Sequence, residues 1–222
     1  MSVRRNKGKF ILLAVLAMGA SLVAAQAART GDTRVLQAVR RADLAGVRTL
    51  IGQRADINGA EGDGSTPLMW AAYRSNIEIA RALISAGADV NAANRLRMTP
   101  LLQAARVGDG PMVELLLNAG ASPTTIYPEG ETALMAASGS GSLQAVRLLL
   151  EAGVNPNSRE QAQGQTALMW AAHEGHAQVA QALLEAGADV NAMAKPSTTR
   201  LFSRISLNLM SFLRGVSSCQ PR

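Results

Sequence analysis

The sequence predicts an all-α solenoid in which short helix pairs stack one on the next. The first observation is a threonine that recurs at residues 33, 66, 99, 132 and 166, in steps of 33, 33, 33 and 34 residues. The second is that a similar apolar phrase follows the last four threonines and is nearly identical at 66–72 and 166–172. Self-similarity at a fixed period of this length is typical of repeat proteins, whose units bury their apolar faces by stacking.

Each unit is predicted to begin with a short inner helix. The recurring threonine is a good N-cap, because its hydroxyl can accept a hydrogen bond from an unpaired N–H of the first helical turn. Proline at the next position, Pro67 or Pro100, suits the first helical residue. A glycine at Gly108, Gly141 or Gly175 then supplies the left-handed conformation that commonly ends a helix.

A second, outer helix is predicted to follow directly. The residue after the glycine position is a preferred N-cap in four of five units: Asp43, Asn76, Asp109 and Ser142, with His176 as the exception. Apolar pairs such as Leu83-Ile84 stand near the end of this helix. The phrase Ala-Gly-Ala-Asp-Val-Asn then closes the unit at 86–91 and again at 186–191.

The phrase Thr-Pro-Leu-x-x-Ala at a period near 33 residues resembles the ankyrin repeat. The resemblance implies five helix–turn–helix repeats, at 30–62, 63–95, 96–128, 129–162 and 163–192, of which the first is a capping repeat. It also implies that connecting segments, such as 59–65 and 127–131, project as short β-hairpin fingers. Ankyrin-like stacks usually bind proteins, so the resemblance implies a non-enzymatic scaffold without a cofactor. We expect a monomer.

Residues 1–27 are predicted to be a secretory signal peptide. Four basic residues precede the apolar run 10–18, and small residues follow it, which is the order of regions in such a signal. Cleavage after Ala25 or after Ala27 fits this pattern. The alternative is an uncleaved anchor, although the apolar run is shorter than the ~20 residues that span a bilayer. With its arginine-rich composition, the chain is predicted to be a bacterial protein that is periplasmic or secreted.

The formal charge of +6 comes from the chain ends. The body between residues 10 and 194 carries 13 basic against 16 acidic residues, which argues against nucleic acid as a partner. In the basic tail 193–222, apolar residues at 201, 205, 209, 212 and 216 form a helical stripe. Three interpretations of 199–216 remain open: a capping helix, an amphipathic helix at a membrane surface, or disorder.

The sequence offers little support for catalysis or metal binding. His173 and His176 have a spacing that can hold a metal, and Glu174 lies between them, but they are the only two histidines in the chain. A working site needs three protein ligands with oriented second partners. Histidine after glycine is also commonly structural in ankyrin-like repeats. A metal-dependent enzyme is therefore the least favoured alternative.

One exposed row per inner helix is free to vary, since positions three and four apart share a helix face. We call these the inner-helix rows; they comprise residues 37/40/41, 70/73/74, 103/106/107, 136/139/140 and 170/173/174. Arginine and aromatic side chains dominate interface hot spots, and in ankyrin-like stacks these rows form the concave binding face. The predicted contact residues are Arg40, Arg41, Trp70, Tyr73, Arg74, Arg106, Trp170, His173 and Glu174.

The small fourth row, Ala136, Gly139 and Ser140, is predicted to be a notch that admits a bulky partner side chain. The alternative for the rows as a whole is that the tryptophans are partly buried framework residues and that the arginines are merely solvated.

The finger tips are a second candidate contact. Arg97 stands where three other units have glycine, and Leu96 and Met98 flank it. Together with Tyr127 of the next finger, which we expect to be exposed, they form an apolar tip, and exposed apolar groups often mark an interface. Alternatively, these side chains pack on one another.

The function predicted from these observations is that of an exported scaffold that binds another protein, through the concave face and the finger tips. Two alternatives stay open besides the metal-dependent enzyme. One is a secreted effector that acts on a host protein. The other is a peripheral membrane protein that uses the 199–216 segment.

Overall fold

The computed structural model describes residues 31–125, 127 and 129–194. These residues form ten helices, two in each predicted repeat. The inner helices are α1 (Arg34–Arg40), α3 (Pro67–Tyr73), α5 (Pro100–Val107), α7 (Ala133–Ser140) and α9 (Ala167–Glu174). The outer helices are α2 (Leu44–Gly52), α4 (Ile77–Ser85), α6 (Gly110–Asn118), α8 (Leu143–Glu151) and α10 (Ala177–Glu185). Each inner helix packs on its outer partner and on the neighbouring inner helices, so the prediction of an all-α repeat solenoid is confirmed.

Four of the five threonines cap their inner helices as predicted. Thr66, Thr99, Thr132 and Thr166 have extended backbones, and each hydroxyl accepts from the N–H three residues later. Thr33 makes no such bond. The carboxylate of Asp32 accepts from the Arg34 N–H instead, at 3.2 Å, and also holds the Arg34 guanidinium. Asp32, the residue before Thr33, therefore caps α1.

The outer helices begin at the predicted side-chain caps. Asp43, Asn76, Asp109 and Ser142 each accept from the N–H three residues later. His176 does not cap its helix. Its ring instead reaches back to the preceding repeat, where Nε2 lies 3.1 Å from the carbonyl oxygen of Gly139.

The core is built from small and aliphatic side chains at matching positions of successive repeats. The leucine two residues after the threonine is at most 2% exposed in repeats two to five: Leu68, Leu101, Leu134 and Leu168. The alanine five residues after the threonine has no exposed surface in repeats two to five: Ala71, Ala104, Ala137 and Ala171. Because the alanine side chain is small, the backbones of adjacent inner helices approach closely, and the helices form one continuous core.

A row of asparagines links the outer ends of successive repeats. Asn58 accepts from the N–H of Asp89 at 3.0 Å. Asn91 accepts from the Ser122 N–H and donates to the Gly120 carbonyl, and Asn157 bonds the final repeat in the same way. We call this row the asparagine ladder. Thr124 occupies the matching position between repeats three and four, and within the described residues its side chain makes no such bond.

The connecting fingers are tight turns, and the expected β-hairpins are not confirmed. Two backbone hydrogen bonds close each finger. In the first finger, the Glu61 N–H donates to the Ser65 carbonyl at 3.0 Å, and the Gly64 N–H donates to the Glu61 carbonyl at 2.9 Å. Neighbouring fingers share single backbone bonds, from Arg95 to Asp63 and from Gln161 to Glu129. Within residues 31–125, 127 and 129–194 no strand is formed, since isolated bonds do not make a ladder.

Two predicted segments lie outside the described residues: the signal peptide 1–27 and the tail helix 199–216. Among the residues that are described, none of the helices has the length and apolar character needed to cross a membrane.

Candidate functional site: the inner-helix rows

The first three inner-helix rows present the exposed side chains that the sequence predicted. Arg40, Arg41, Arg74 and Arg106 are exposed, and Tyr73 keeps 54% of its surface in solvent. Trp70 is half-buried. These side chains leave the last turns of α1, α3 and α5, which the continuous core holds side by side. The packed framework therefore positions a polar and aromatic surface across three repeats.

Trp70 lies at the centre of this surface. The guanidinium carbon of Arg40, from the preceding repeat, sits 4.7 Å from the centre of the Trp70 ring. Tyr73 meets the same ring edge to face, with ring centres 5.9 Å apart and an interplanar angle of 82°. A cation over an indole face is attracted by the ring quadrupole, so Arg40 covers one face of Trp70 and Tyr73 stands beside it.

Two of the four arginines are already paired with finger carboxylates. Arg40 Nη1 donates to Glu61 Oε1 at 2.6 Å. Arg106 donates to both carboxylate oxygens of Glu131, with Nε 3.2 Å from Oε1. Within the described residues, Arg41 and Arg74 have no carboxylate at ion-pair distance. The uncompensated positive charge of the rows is therefore concentrated on these two side chains.

A cleft of about 210 Å³ opens beside Trp70, between the second and third repeats. Its lining residues come from two inner helices and two fingers: Ser65, Met69, Trp70, Tyr73, Asn94, Met98 and Gln103. Sequence reasoning did not identify Ser65 and Asn94 as part of a site. The matching position of Ser65, one residue before the threonine, is the signal that could have placed it at the base of a finger.

Some polar groups around this cleft already have hydrogen-bond partners, and others do not. Ser65 donates through its N–H and its hydroxyl to Asp63, and these bonds hold the pKa of Asp63 below its usual value. Asn94 donates to Ser65 at 3.2 Å and accepts from the N–H groups of Leu96 and Met98. The side-chain amide of Gln103 makes no hydrogen bond to any described residue, which leaves it available to a ligand.

The predicted notch in the fourth row is wrong. Ala136 is buried, and a Cβ built on Gly139 would lie 2.9 Å from Cε3 of Trp170. The indole of the fifth repeat thus already fills the space that glycine leaves. A partner side chain finds no opening there, because the bulky group comes from the chain itself.

The fifth row has different chemistry. His173 and Glu174 are exposed, and Nε2 of His173 lies 3.9 Å from a carboxylate oxygen of Glu174, while Trp170 is half-buried. The His176 ring is taken up by the Gly139 carbonyl. No cluster of three or more metal-binding side chains occurs in the part of the chain that the structure describes. The geometry therefore adds nothing to the metal alternative.

The finger tips only partly follow the prediction. Leu96 is 72% exposed, Arg97 is exposed with φ +58°, and Met98 is half-buried against the core. Arg97 takes the left-handed conformation that glycine adopts at the same turn position elsewhere, as at Gly130 with φ +81°. A non-glycine residue there is strained.

The expectation that Tyr127 is exposed is wrong. It is only 4% exposed, because its ring packs in the core, and its hydroxyl lies 2.6 Å from the Thr99 hydroxyl at the start of α5. Burial raises the pKa of Tyr127. Its place five residues before a repeating threonine, which is shared by the partly buried Glu61 and Asn94, could have indicated burial from the sequence. Tyr127 therefore belongs to the framework and is no tip contact.

Comparison with known proteins agrees with this architecture. A family model described as "Ankyrin repeats (3 copies)" matches residues 35–127 and 101–194. No curated protein matches the chain significantly. The family matches together cover well over half of the sequence and every one of the described helix pairs. The chain belongs to the ankyrin repeat family.

Proposed function

We propose that this protein is an exported, non-enzymatic scaffold that binds a partner protein through the inner-helix rows of its first three repeats and the adjoining finger tip at Leu96 and Arg97. Ankyrin repeats are generic protein–protein interaction scaffolds. The observation that carries the proposal for this chain is the surface around Trp70, where Arg40 covers the indole, Tyr73 packs beside it and the unpaired Arg74 follows Tyr73 directly. Aromatic and arginine anchors of this kind supply most interface energy.

Charge reversal at the unpaired arginines tests this proposal. Partners are captured from a periplasmic extract with the mature chain, with Arg41→Glu/Arg74→Glu, and with the matched control Arg81→Glu/Arg147→Glu on the exposed outer helices. The first variant should lose a partner that the other two retain. All three should unfold at similar temperatures, since exposed charges contribute little to stability. An identical partner list for all three proteins would overturn the proposal.

Export is proposed from the sequence of residues 1–27. The support is the order of basic, apolar and small residues, which is that of a signal peptide. A fusion of residues 1–35 to alkaline phosphatase, which is active only after export, should give activity. Replacing Leu12, Leu13 and Leu16 by aspartate should abolish that activity. The mass of the mature chain will show whether cleavage follows Ala25 or Ala27, and an inactive parent fusion would contradict export.

A further inference from the structure

We propose that the cleft between repeats two and three holds an aromatic side chain of the partner, and that an acidic residue next to it in the partner pairs with Arg74. This inference rests on the proposed function and adds the chemistry of the segment that is recognised. The occupant is thus an acidic stretch of protein chain with one aromatic anchor, rather than a basic or a purely apolar segment.

The size and walls of the cleft fit an aromatic ring. A cavity of roughly 150 Å³ can hold a benzene molecule, and this cleft has about 210 Å³. Trp70 and Tyr73 form two walls that meet nearly at a right angle. Met69 and Met98 complete the apolar lining, and methionine adapts its shape and packs well against aromatic rings.

The polar rim fits a peptide main chain. Ser65 and Asn94 are already engaged in bonds within the fingers. The side-chain amide of Gln103 and the hydroxyl of Tyr73 make no hydrogen bond within the described residues, and both residues border the same cleft. A side-chain amide offers both a donor and an acceptor, so Gln103 can pair with one peptide group on either side of the anchor residue.

The charge around the cleft determines which charge the bound segment of the partner should carry. Arg74 follows Tyr73 directly and has no ion-pair partner among the described residues. The carboxylates of Glu61 and Glu131 pair with Arg40 and Arg106, and that of Asp63, which accepts from the cleft residue Ser65, interacts electrostatically with Arg95. The surface around the cleft therefore has an excess of positive charge, which favours a carboxylate beside the anchor and disfavours a lysine.

The fifth repeat provides a built-in control. Its positions 170, 173 and 174 match positions 70, 73 and 74 in the repeat, but they carry Trp170, His173 and Glu174. Trp170 lies against Gly139, and Glu174 reverses the charge that Arg74 has. Because Glu174 reverses the charge, the surface around Trp170 should not bind the proposed segment.

The two indole N–H groups make the test specific, because Trp70 and Trp170 are the only tryptophans. The ¹⁵N-labelled mature chain is titrated with three probes: N-acetyl-Asp-Phe-amide, N-acetyl-Asp-Ala-amide and N-acetyl-Lys-Phe-amide. The Asp-Phe probe should shift the Trp70 indole signal saturably and leave the Trp170 signal in place. Loss of the buried ring should weaken the Asp-Ala probe about tenfold or more. The Lys-Phe probe should be several-fold weaker than Asp-Phe.

Two pairs of matched variants complete the test. Tyr73→Ala and Arg74→Glu should each weaken the Asp-Phe probe, whereas His173→Ala and Glu174→Arg should leave it unchanged. All four side chains are exposed, so folding should be retained; Gln103→Ala gives a second test of the rim if one variant unfolds. The inference is overturned if both indoles respond alike, if Trp70 does not respond, or if the Lys-Phe probe binds as tightly as Asp-Phe.

The proposed function and this inference can fail separately. If a partner is captured and is lost with Arg41→Glu/Arg74→Glu, but the Asp-Phe probe does not displace it, the cleft inference is wrong and the scaffold proposal stands. If the probe binds at Trp70 but no partner depends on the arginines, the scaffold proposal is wrong and the cleft chemistry stands.

Discussion

Repeats two and five share the phrase Leu-Met-Trp-Ala-Ala, yet their tryptophans lie in different surroundings. Trp70 is covered by the Arg40 guanidinium and opens onto a cleft. Trp170 lies against Gly139 of the preceding repeat. Gly139 has the same position in repeat four that Arg40 has in repeat one. The comparison teaches that a row's chemistry is decided by the residue that the previous repeat places against it, as much as by its own sequence.

The two regions also hold their rows together differently. In the first three repeats, ion pairs from Arg40 and Arg106 to finger glutamates link rows to fingers. In the last two, Gly139 and Gly141 allow Trp170 and His176 to approach the backbone closely. The first arrangement leaves the unpaired Arg74 and a cleft at the surface, while in the second the Trp170 ring lies in the space beside Gly139. We therefore expect the acidic segment to bind at the cleft beside Trp70.

The largest expected effect tests whether the framework under both rows is the same. Leu68→Ala and Leu168→Ala remove buried leucines, 1% and 2% exposed, at one position of repeats two and five. Each substitution should reduce the free energy of unfolding by about 2–5 kcal/mol. The measurement is urea-induced unfolding followed by circular dichroism. A loss below ~1 kcal/mol in only one repeat would break the equivalence of the two frameworks.

The next effect concerns the close approach in the last two repeats. Gly141 and Gly175 both end inner helices with positive φ, at +77° and +78°. A Cβ at Gly141 would lie 2.6 Å from the His176 ring, but at Gly175 it would meet nothing within 4 Å. Both alanine variants bear the cost of the left-handed conformation, about 1–3 kcal/mol. Gly141→Ala should be the less stable of the two in thermal unfolding.

Adding His176→Ala to the Gly141→Ala variant should recover part of that difference, because the crowded ring is removed. Equal stability of Gly141→Ala and Gly175→Ala would show that the His176 ring moves aside freely. In that case close approach would not distinguish the last two repeats from the first three.

A smaller effect is expected at Tyr127, at the boundary between the two regions. Tyr127→Phe removes the bond to Thr99 and should cost about 1 kcal/mol at neutral pH. Burial raises the pKa of the folded phenol above its usual 10.0, so the unfolded chain ionises first. The tyrosine's contribution is present below pH ~10 and is lost as the pH rises through the folded pKa.

Urea unfolding at pH 8 and at pH 10.5 checks this prediction. The parent chain should lose more stability between the two values than Tyr127→Phe does. Tyr73→Phe, at the exposed tyrosine, serves as the control. A parent and a Tyr127→Phe variant with the same alkaline loss would contradict the burial of this phenol.

The smallest effect is a gain at the interruption of the asparagine ladder. Thr124→Asn provides an acceptor for the Asn155 N–H and a donor for the Gly153 carbonyl, by analogy with Asn91. It should raise the free energy of unfolding by about 0.5–1.5 kcal/mol. The reverse substitution, Asn91→Thr, should lower it by a similar amount. A loss of stability with Thr124→Asn would show that repeats three and four meet with a different spacing from the others.

The sequence predicted the local part of this fold well. Threonine caps such as Thr66, glycine ends such as Gly108 and outer caps such as Asp43 all act within a few residues of themselves. Their physical causes are contained in one helical turn, so a short stretch of sequence reveals them. The period then places each element of one repeat beside its equivalent in the next.

The features that sequence reasoning missed depend on contacts between residues that lie far apart in the chain. Trp170 fills the notch at Gly139, and Tyr127 bonds Thr99 across 28 residues. Arg40 pairs with Glu61 across 21 residues. The period shows which positions are equivalent, but it does not show which distant residue a long side chain reaches.

The asparagine ladder gives the array a direction. Each asparagine reaches forward to the backbone of the following unit, and Asn191 presents the same carboxamide beyond Asn157. A duplicated unit inserted after Asn58, Asn91 or Asn157 would therefore find a docking point ready for it. A copy inserted after Thr124 would lack this side-chain bond to the following unit. Growth of such a protein by duplication is thus easier at some junctions than at others.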